Sequence, residues 1–285
     1  MTQVAADRRI FFSSLGGRWR VGSAAVLVAA LSGLSGPSSK AAAGSLSAAA
    51  PSSDSSRGPD SRPAVLIELF TSEGCSSCPP ADELLAQLAA AGIVEDTPVI
   101  ALELHVDYWN YLGWRDPFSE SAYSARQDAY VRWLGLRGPY TPQLVVDGRF
   151  DVLGSSGVRA RAAVLSAAES KRARVQLQVD RASDTLRAVV SELPGQRVAL
   201  YVALTERGLK TQVPRGENAG RTLAHGPVVR WLQAVARGDA GELRAEVPLR
   251  LAKTWRREAL RVVAFAQDEK TGHIQGAAEI ALPSK

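Results

Sequence analysis

A single Cys-x-x-Cys, Cys75 to Cys78, stands between an apolar segment and a segment that begins with two prolines. Residues 65–70 are rich in β-forming side chains and predict a buried strand. Prolines are tolerated in the first turn of a helix and glycine favours its end, so Pro79 and Gly92 bracket a predicted helix. The cysteine pair is therefore expected at the junction of a strand and the N-terminus of a helix.

This position suits thiol–disulfide exchange. Backbone dipoles at a helix N-terminus stabilise a thiolate, which is the attacking species in exchange. We expect Cys75 to be the nucleophile and Cys78, about one turn later, to resolve the mixed disulfide. An inert local disulfide and a metal-ligand pair stay open as alternatives. Because a second Cys-x-x-Cys is missing and His105, His225 and His273 lack ligand spacing, no metal is expected.

The amino terminus predicts export. A basic segment precedes residues 21–34, which are weakly apolar and short for a membrane span, and Ala41-x-Ala43 offers a cleavage site. Residues 1–43 are therefore predicted to be a signal peptide. An adjacent arginine pair favours the twin-arginine type over a general secretory signal. The serine-rich residues 44–62 are predicted to be a flexible linker.

The charge of the chain argues against a nucleic-acid partner. The formal net charge is +5, but five basic residues and one acidic residue fall before Gly44, so the remainder carries 29 basic and 28 acidic residues. Such a balance lacks the basic footprint that phosphate binding needs. The mature chain is expected in the periplasm or outside the cell, without an integral membrane span.

Residues 63–171 are predicted to form an α/β domain with the order β-α-β-α-β-β-α. Residues 99–106 are predicted to form a second apolar strand. Residues 119–134 and 158–171 are predicted to form helices. A strand–helix–strand beginning implies a parallel pair of strands with a crossover helix. The turn at Asp147 and Gly148 predicts a closing hairpin of residues 143–146 and 150–153.

Residues 172–285 are predicted to form a smaller, β-rich domain, an antiparallel β-sandwich. One helix or turn, over residues 228–236, is expected to interrupt it. The six segments that read as strands are residues 175–179, 186–191, 198–204, 243–247, 260–266 and 274–280.

The order of elements, with Thr141-Pro142 before a hairpin, resembles the thioredoxin fold. In that superfamily a cis-proline lies against the cysteine pair, and Pro142 matches it. Longer segments resemble an uncharacterised bacterial family of exported thioredoxin-like proteins, known as a domain of unknown function. The resemblance implies a thioredoxin-like α/β fold and an extracytoplasmic location. The segments that carry it are residues 69–82, 105–109, 140–143 and 216–221.

Further candidate side chains lie near the predicted site. Glu103, His105 and Asp107 alternate along one strand, so that His105 or Asp107 can move protons for the thiols, or be a core histidine and a loop cap. Glu68 is either a proton acceptor for the resolving thiol or an ordinary strand residue. The loop 216–221 is either docked on the cysteine face or a plain turn.

Aromatic side chains follow the second predicted strand. Tyr108, Trp109, Tyr111 and Trp114 either line a substrate groove or belong to the core.

The sequence thus favours an exported thiol–disulfide oxidoreductase that acts on protein thiols and disulfides. Its expected site residues are Cys75, Cys78, Pro142, His105 and Asp107, and no organic cofactor is implied. The alternative is a non-catalytic binding module in which the cysteines form a structural disulfide. Metal handling through the thiolates and His105 is a third, weaker alternative.

Overall fold

The computed structural model describes residues 63–194, 197–239 and 241–283 of the chain. The predicted signal peptide, residues 1–43, and the predicted linker, residues 44–62, lie outside the described residues. Within the described ranges, no helix is both long enough and apolar enough to cross a membrane.

The described part of the chain contains three α-helices and fourteen strands. The helices are α1 (Pro79–Ala91), α2 (Ser121–Trp133) and α3 (Gly157–Ala168). The strands are β1 (Val65–Thr71), β2 (Ile93–Val94), β3 (Thr97–His105), β4 (Gln143–Val146), β5 (Phe150–Leu153), β6 (Arg174–Asp180), β7 (Thr185–Ser191), β8 (Val198–Glu206), β9 (Lys210–Gln212), β10 (Thr222–Ala224), β11 (Val228–Gly238), β12 (Leu243–Pro248), β13 (Leu260–Asp268) and β14 (Ile274–Ala281).

Eight strands form one mixed sheet in the order β14–β13–β8–β11–β3–β1–β4–β5, and β2 pairs with the start of β3. The parallel pairing of β1 with β3 across the crossover helix α1 confirms the strand–helix–strand prediction. The predicted hairpin β4–β5 is also present. Strands β12, β7 and β6 form a separate antiparallel sheet, and β9 and β10 form a two-stranded ribbon.

The predicted fold class, a thioredoxin-like α/β fold followed by a smaller antiparallel β-sandwich, is wrong. Among the residues that the structure describes, 41% lie in strands and 20% in helices, so this part of the chain is mostly β. Strands β8, β13 and β14, predicted for the sandwich, continue the same sheet as β3, β1, β4 and β5. So does β11, which lies where a helix or turn is predicted. The reason is that β11 begins alongside β3: the Glu103 amide donates to the Pro227 carbonyl at 3.0 Å. A strand edge with unpaired backbone groups accepts another strand in this way.

Strand β11 also corrects the helix or turn predicted over residues 228–236. It is an eleven-residue strand in the middle of the large sheet. Two irregularities in its pairing with β8, between Val229 and Trp231 and between Ala234 and Ala236, shift the register. Each bulge inserts a residue, so the alternation of apolar and polar side chains breaks. The remaining pattern no longer has the period of two that identifies a strand.

The large sheet carries a hydrophobic core on each face. Because side chains alternate along a strand, β1 contributes to both. Val65, Ile67 and Leu69 pack with helices α1 and α3. Leu66 and Phe70 pack with α2 and with strands β8 and β13. A third core lies between the three-stranded sheet and strands β8 and β13.

A buried ion pair joins β1, α2 and β13. Arg126 donates from Nε to Glu68 Oε1 at 2.6 Å and from a terminal nitrogen to Glu68 Oε2 at 2.9 Å. Tyr130 also donates to Glu68, and Gln267 accepts from Arg126 at 3.0 Å. The carboxylate is 1% exposed, so these donors replace the water it loses on burial.

The turn between β4 and β5 lies against the turn between β13 and β14. Gly148 has a φ of +65°, and a Cβ at this position would lie 1.9 Å from the Gly272 carbonyl oxygen. The Ile274 amide donates to the Asp147 carbonyl at 2.9 Å. Glycine is therefore required at position 148 both by the backbone conformation and by the close approach.

We expect Glu68→Gln to lower the free energy of unfolding by about 3–5 kcal/mol, because it leaves the Arg126 guanidinium buried without its counterion. Urea unfolding of the oxidised protein measures this. The control is Arg244→Ala, which removes an exposed ion pair to Glu242 and should cost about 1 kcal/mol or less. Equal losses in the two variants would contradict a structural role for the buried pair.

Candidate functional site

Cys75 and Cys78 form a disulfide between the end of β1 and the start of α1. Cys78 is the N-cap residue of α1, and its carbonyl accepts from the amides of Ala81 and Asp82 at 2.8 and 3.1 Å. Both cysteines are 0% exposed, whereas Ser76, between them, is exposed. The disulfide is thus at the expected place along the chain but lies beneath the surface.

The loop of residues 216–221 lies on the cysteine segment. The Asn218 side-chain amide, itself fully buried, donates to the carbonyls of Glu73 and Cys75 at 2.9 and 3.0 Å. Glu217 accepts from the Ser76 amide at 3.1 Å. Three hydrogen bonds therefore hold this loop over the segment that carries the disulfide.

An aromatic side chain and the Thr141–Pro142 segment border the same region. The Thr141–Pro142 peptide bond is cis. Trp109 donates from Nε1 to Thr141 Oγ1 at 2.9 Å, and a Cβ at Gly74 would lie 3.1 Å from the Trp109 Cβ. The absence of a side chain at position 74 therefore leaves space for Trp109. The Gly154 amide donates to the Pro142 carbonyl at 2.9 Å, which ties this segment to the end of the hairpin.

A chain of buried ionisable groups lies behind the cysteine segment. His105 contacts Asp116 through Nδ1 at 2.6 Å and Glu103 through Nε2 at 3.1 Å. His225 contacts the same Glu103 oxygen through Nδ1 at 3.1 Å and Glu73 through Nε2 at 3.1 Å. Carboxylates and imidazoles thus alternate along the chain.

These five groups come from four separate segments. Glu103 and His105 lie two residues apart on β3, so their side chains share one face of the strand. Asp116 lies in the connection to α2, and Glu73 follows β1. His225 stands between β10 and β11, where the pairing of β11 with β3 brings it next to Glu103.

The neighbouring carboxylates determine the charge of the two imidazoles. Burial alone would lower the pKa of His105, but Asp116 and Glu103 raise it well above its ordinary value. For His225, the hydrogen bonds with Glu103 and Glu73 outweigh burial and raise the pKa to about 9. Burial would raise the pKa of Glu103 and of Asp116, but the imidazoles lower both. The carboxylates therefore favour the protonated form of both imidazoles.

Asp82 lies one helical turn after Cys78 and is 3% exposed. Burial, and then the negative charge of Glu103, raise the pKa of Asp82 to about 8. The Thr71 hydroxyl, which donates to Asp82 at 2.6 Å, and the charges of His105 and His225 act in the opposite direction. Asp82 therefore loses its proton at about pH 8, whereas an ordinary aspartate loses it near pH 3.8.

The structure places the predicted site residues in different surroundings. Asp107 lies beyond the end of β3, and its carboxylate accepts from Ser124 of α2 at 2.6 Å. In the part of the chain that the structure describes, no hydrogen bond joins Asp107 to His105. Glu68, considered as a proton acceptor, is held by Arg126. Tyr111 is 82% exposed.

Sequence reasoning did not assign the site's second histidine or two of its acids. The sequence predicts no role for His225, because its position lacks ligand spacing and its distance along the chain from His105 gives no signal. Asp116 was not singled out. Glu73 is not among the site residues predicted from the sequence either. Trp114, for which the sequence allows either a groove or a core position, donates from Nε1 to Glu73 Oε2 at 2.7 Å.

Fold and site define a mixed-sheet protein with a helix-capping Cys-x-x-Cys disulfide and a buried network of carboxylates and imidazoles. The chain belongs to the family described as "Protein of unknown function (DUF1223)", whose model matches residues 66–267. This match confirms the resemblance to a domain-of-unknown-function family.

The solved structures that are similar to the chain include the following two. Protein AGR_C_4864 from Agrobacterium tumefaciens is 27% identical with a TM-score of 0.61, and the match covers 79% of this chain and 97% of that one. HBP35 of Porphyromonas gingivalis is 17% identical with a TM-score of 0.57, over 78% of this chain and 76% of that one, and supports the fold alone. No curated protein matches the chain.

We expect Asp82→Asn to stabilise the protein more at pH 8 than at pH 5. The folded chain holds the Asp82 proton up to about pH 8, whereas the unfolded chain releases it near the ordinary aspartate pKa of 3.8. The unfolded state therefore binds fewer protons between these values, and wild-type stability falls as pH rises through them. Asparagine removes this contribution.

Urea unfolding of both proteins at the two pH values measures the difference. Glu83→Gln, at the adjacent exposed position of α1, is the matched control and should show no such dependence. A stability difference for Asp82→Asn that is the same at pH 5 and pH 8 would refute the raised pKa.

Proposed function

We propose that this protein is an exported thiol–disulfide oxidoreductase that uses Cys75 and Cys78 and acts on protein thiols or disulfides. The observation that carries the proposal is the location of the disulfide at the N-cap of α1. A thiolate at this position lies in the positive field of the helix N-terminus. Cys78 is therefore suited to leave as a thiolate when Cys75 is attacked.

The exchange proceeds in two substitutions at sulfur. A partner thiolate attacks Cys75 Sγ, a mixed disulfide forms, and Cys78 departs with the electron pair of the broken S–S bond. The partner's second thiolate then attacks its own sulfur in the mixed disulfide and releases Cys75. The partner loses two electrons and two protons, which the cysteine pair gains as a dithiol. The same steps in reverse reduce a partner disulfide.

The proposed relationship to the thioredoxin-like superfamily concerns the local unit rather than the sheet. That unit is the strand β1, the Cys-x-x-Cys, the helix α1 and the cis-proline Pro142. Trp109, beside Gly74 and Thr141, supplies an apolar surface at the same place.

Exchange requires the cysteine segment to become accessible, because both sulfurs are buried. The loop 216–221 is held by Asn218 and Glu217 through three hydrogen bonds. We propose that this loop moves away from the cysteine segment when a partner binds. Donor groups of the partner then form hydrogen bonds with the carbonyls of Glu73 and Cys75, which Asn218 releases.

Export is part of the proposal. It rests on the basic and apolar pattern of residues 1–43 and the cleavage pattern before Gly44. An oxidising compartment, the periplasm or the outside of the cell, allows the Cys75–Cys78 disulfide to persist. N-terminal sequencing of the mature protein tests it, and an uncleaved Met1 would refute it.

A second candidate is a binding module with a structural disulfide. The full burial of both cysteines favours it, because catalytic cysteines are usually accessible. In that case Cys75→Ser leaves partner binding intact. In the first case Cys75→Ser abolishes exchange.

The reduction potential of the pair separates the two candidates. We expect a value between about −120 and −270 mV, the range of exchange catalysts, from equilibration in thiol–disulfide buffers followed by alkylation and mass spectrometry. A value below about −300 mV is typical of structural disulfides and would overturn the oxidoreductase proposal.

We also expect Asn218→Ala to accelerate reduction of the disulfide by dithiothreitol. Loss of two hydrogen bonds at about 0.5–1.5 kcal/mol each raises the population of the open loop by roughly 5- to 150-fold. Alkylation of the freed thiols with time measures the rate. Gln178→Ala, at an exposed position of β6, is the control and should match wild type. An unchanged rate in Asn218→Ala would contradict the covering role of the loop.

A further inference from the structure

Three buried side chains converge on one point behind the cysteine segment. Glu103 is 0%, His105 1% and His225 5% exposed. Glu103 Oε1 lies 3.1 Å from both His105 Nε2 and His225 Nδ1. One donor atom from each residue lies within 4.8 Å of the other two.

A second layer of carboxylates holds the far nitrogen of each imidazole. Asp116 contacts His105 Nδ1 at 2.6 Å, and Glu73 contacts His225 Nε2 at 3.1 Å. In metal sites a ligating histidine commonly donates its other ring N–H to a carboxylate, which fixes the orientation and raises the basicity of the ligand. Both histidines here have that arrangement.

The second layer is itself fixed by the backbone and by an indole. The Glu73 amide donates to Asp116 at 2.8 Å, and the Phe118 amide to the other Asp116 oxygen at 2.9 Å. The second Glu73 oxygen accepts from the Trp114 indole. The orientations of the two outer carboxylates are therefore determined independently of the imidazoles.

The surroundings exclude water from the three converging side chains. The Phe118 ring lies edge-on to both imidazoles, with ring centroids 5.3 Å from His105 and 5.2 Å from His225. The second Glu103 oxygen accepts from the Gly226 amide. That contact leaves Oε1 as the oxygen that faces both rings.

The geometry points to a binding site for one divalent transition-metal ion, with Zn²⁺ as the first candidate, formed by Glu103 Oε1, His105 Nε2 and His225 Nδ1. Two imidazoles and one carboxylate are a common ligand set for zinc, with bonds of about 2.0–2.2 Å. A tetrahedral ion with such bonds has ligand atoms about 3.3–3.6 Å apart. The 3.1 Å between Glu103 Oε1 and each imidazole nitrogen is close to that spacing. The site does not involve the cysteines, whose sulfurs are bonded to each other.

The site also differs from the metal alternative considered for the sequence, which paired His105 with the cysteine thiolates. Its third ligand, His225, reaches the other two through the pairing of β11 with β3. The metal site and the exchange reaction are therefore separable by mutation.

The experiment uses the full chain, stripped with a chelator and titrated with Zn²⁺ against a chromophoric competitor. We expect one Zn²⁺ per chain, and X-ray absorption should show nitrogen and oxygen ligands without sulfur. His225→Gln should weaken binding by more than about 100-fold, and Glu73→Gln by about 10- to 100-fold. His273→Gln, which alters an exposed histidine, should bind as wild type does.

Folding and thiol binding are controlled separately. Zn²⁺ should raise the Tm of wild type and leave that of His225→Gln unchanged, with circular dichroism as the test of folding. If His225→Gln does not fold, the Zn²⁺ affinity of the milder variant Glu73→Gln, compared with that of wild type, tests the site. The double variant Cys75→Ser/Cys78→Ser should retain the metal. Loss of metal in this double variant, sulfur in the absorption spectrum, or equal affinity in Glu73→Gln and wild type would each overturn the site.

Discussion

The start of β11 lies parallel to β3, and most of the molecule's organisation depends on that short pairing. It continues one sheet from β5 to β14 instead of leaving two separate sheets. It also brings His225 beside Glu103, although 122 residues separate them in the sequence. Tyr123 of α2 donates to the Val229 carbonyl at 3.0 Å, so the helix on one face holds the same strand. The buried network is thus a consequence of the sheet.

Buried charged side chains are neutralised by two different arrangements in this protein. Glu68 and Arg126 form a bidentate ion pair. Tyr130 donates a further hydrogen bond to Glu68, and Gln267 accepts one from Arg126. Such a pair fixes one arrangement of its elements, and losing one partner leaves an uncompensated charge. The alternating network around Glu103 is different, because each imidazole lies between two carboxylates that raise its pKa above the ordinary value. The ion pair of Glu68 and Arg126 fixes three elements of the fold, whereas the network around Glu103 brings two imidazoles and a carboxylate to one point.

Local elements could be predicted from the sequence, whereas their partners could not. The limits of α1 followed from Pro79 and Gly92, and β4 and β5 from the turn at Asp147, because these signals act within a few residues. The strand pattern of residues 198–204, 260–266 and 274–280 predicted β8, β13 and β14, but it carries no information about which strand edge each one joins. That is why a separate sandwich was expected. The bulges of β11 removed even the local signal. His225 belongs to the site through tertiary contact alone.

The contact between the Gly148 turn and the Gly272 turn links two hairpins that are far apart in the chain. Exposed loop tips usually accept added residues, which is why they are chosen for tags and permuted termini. Here each tip is packed on the other, and neither has room for a side chain at its glycine. The lengths of the two loops are therefore coupled. Changes in length are expected to have accumulated at other connections of the fold.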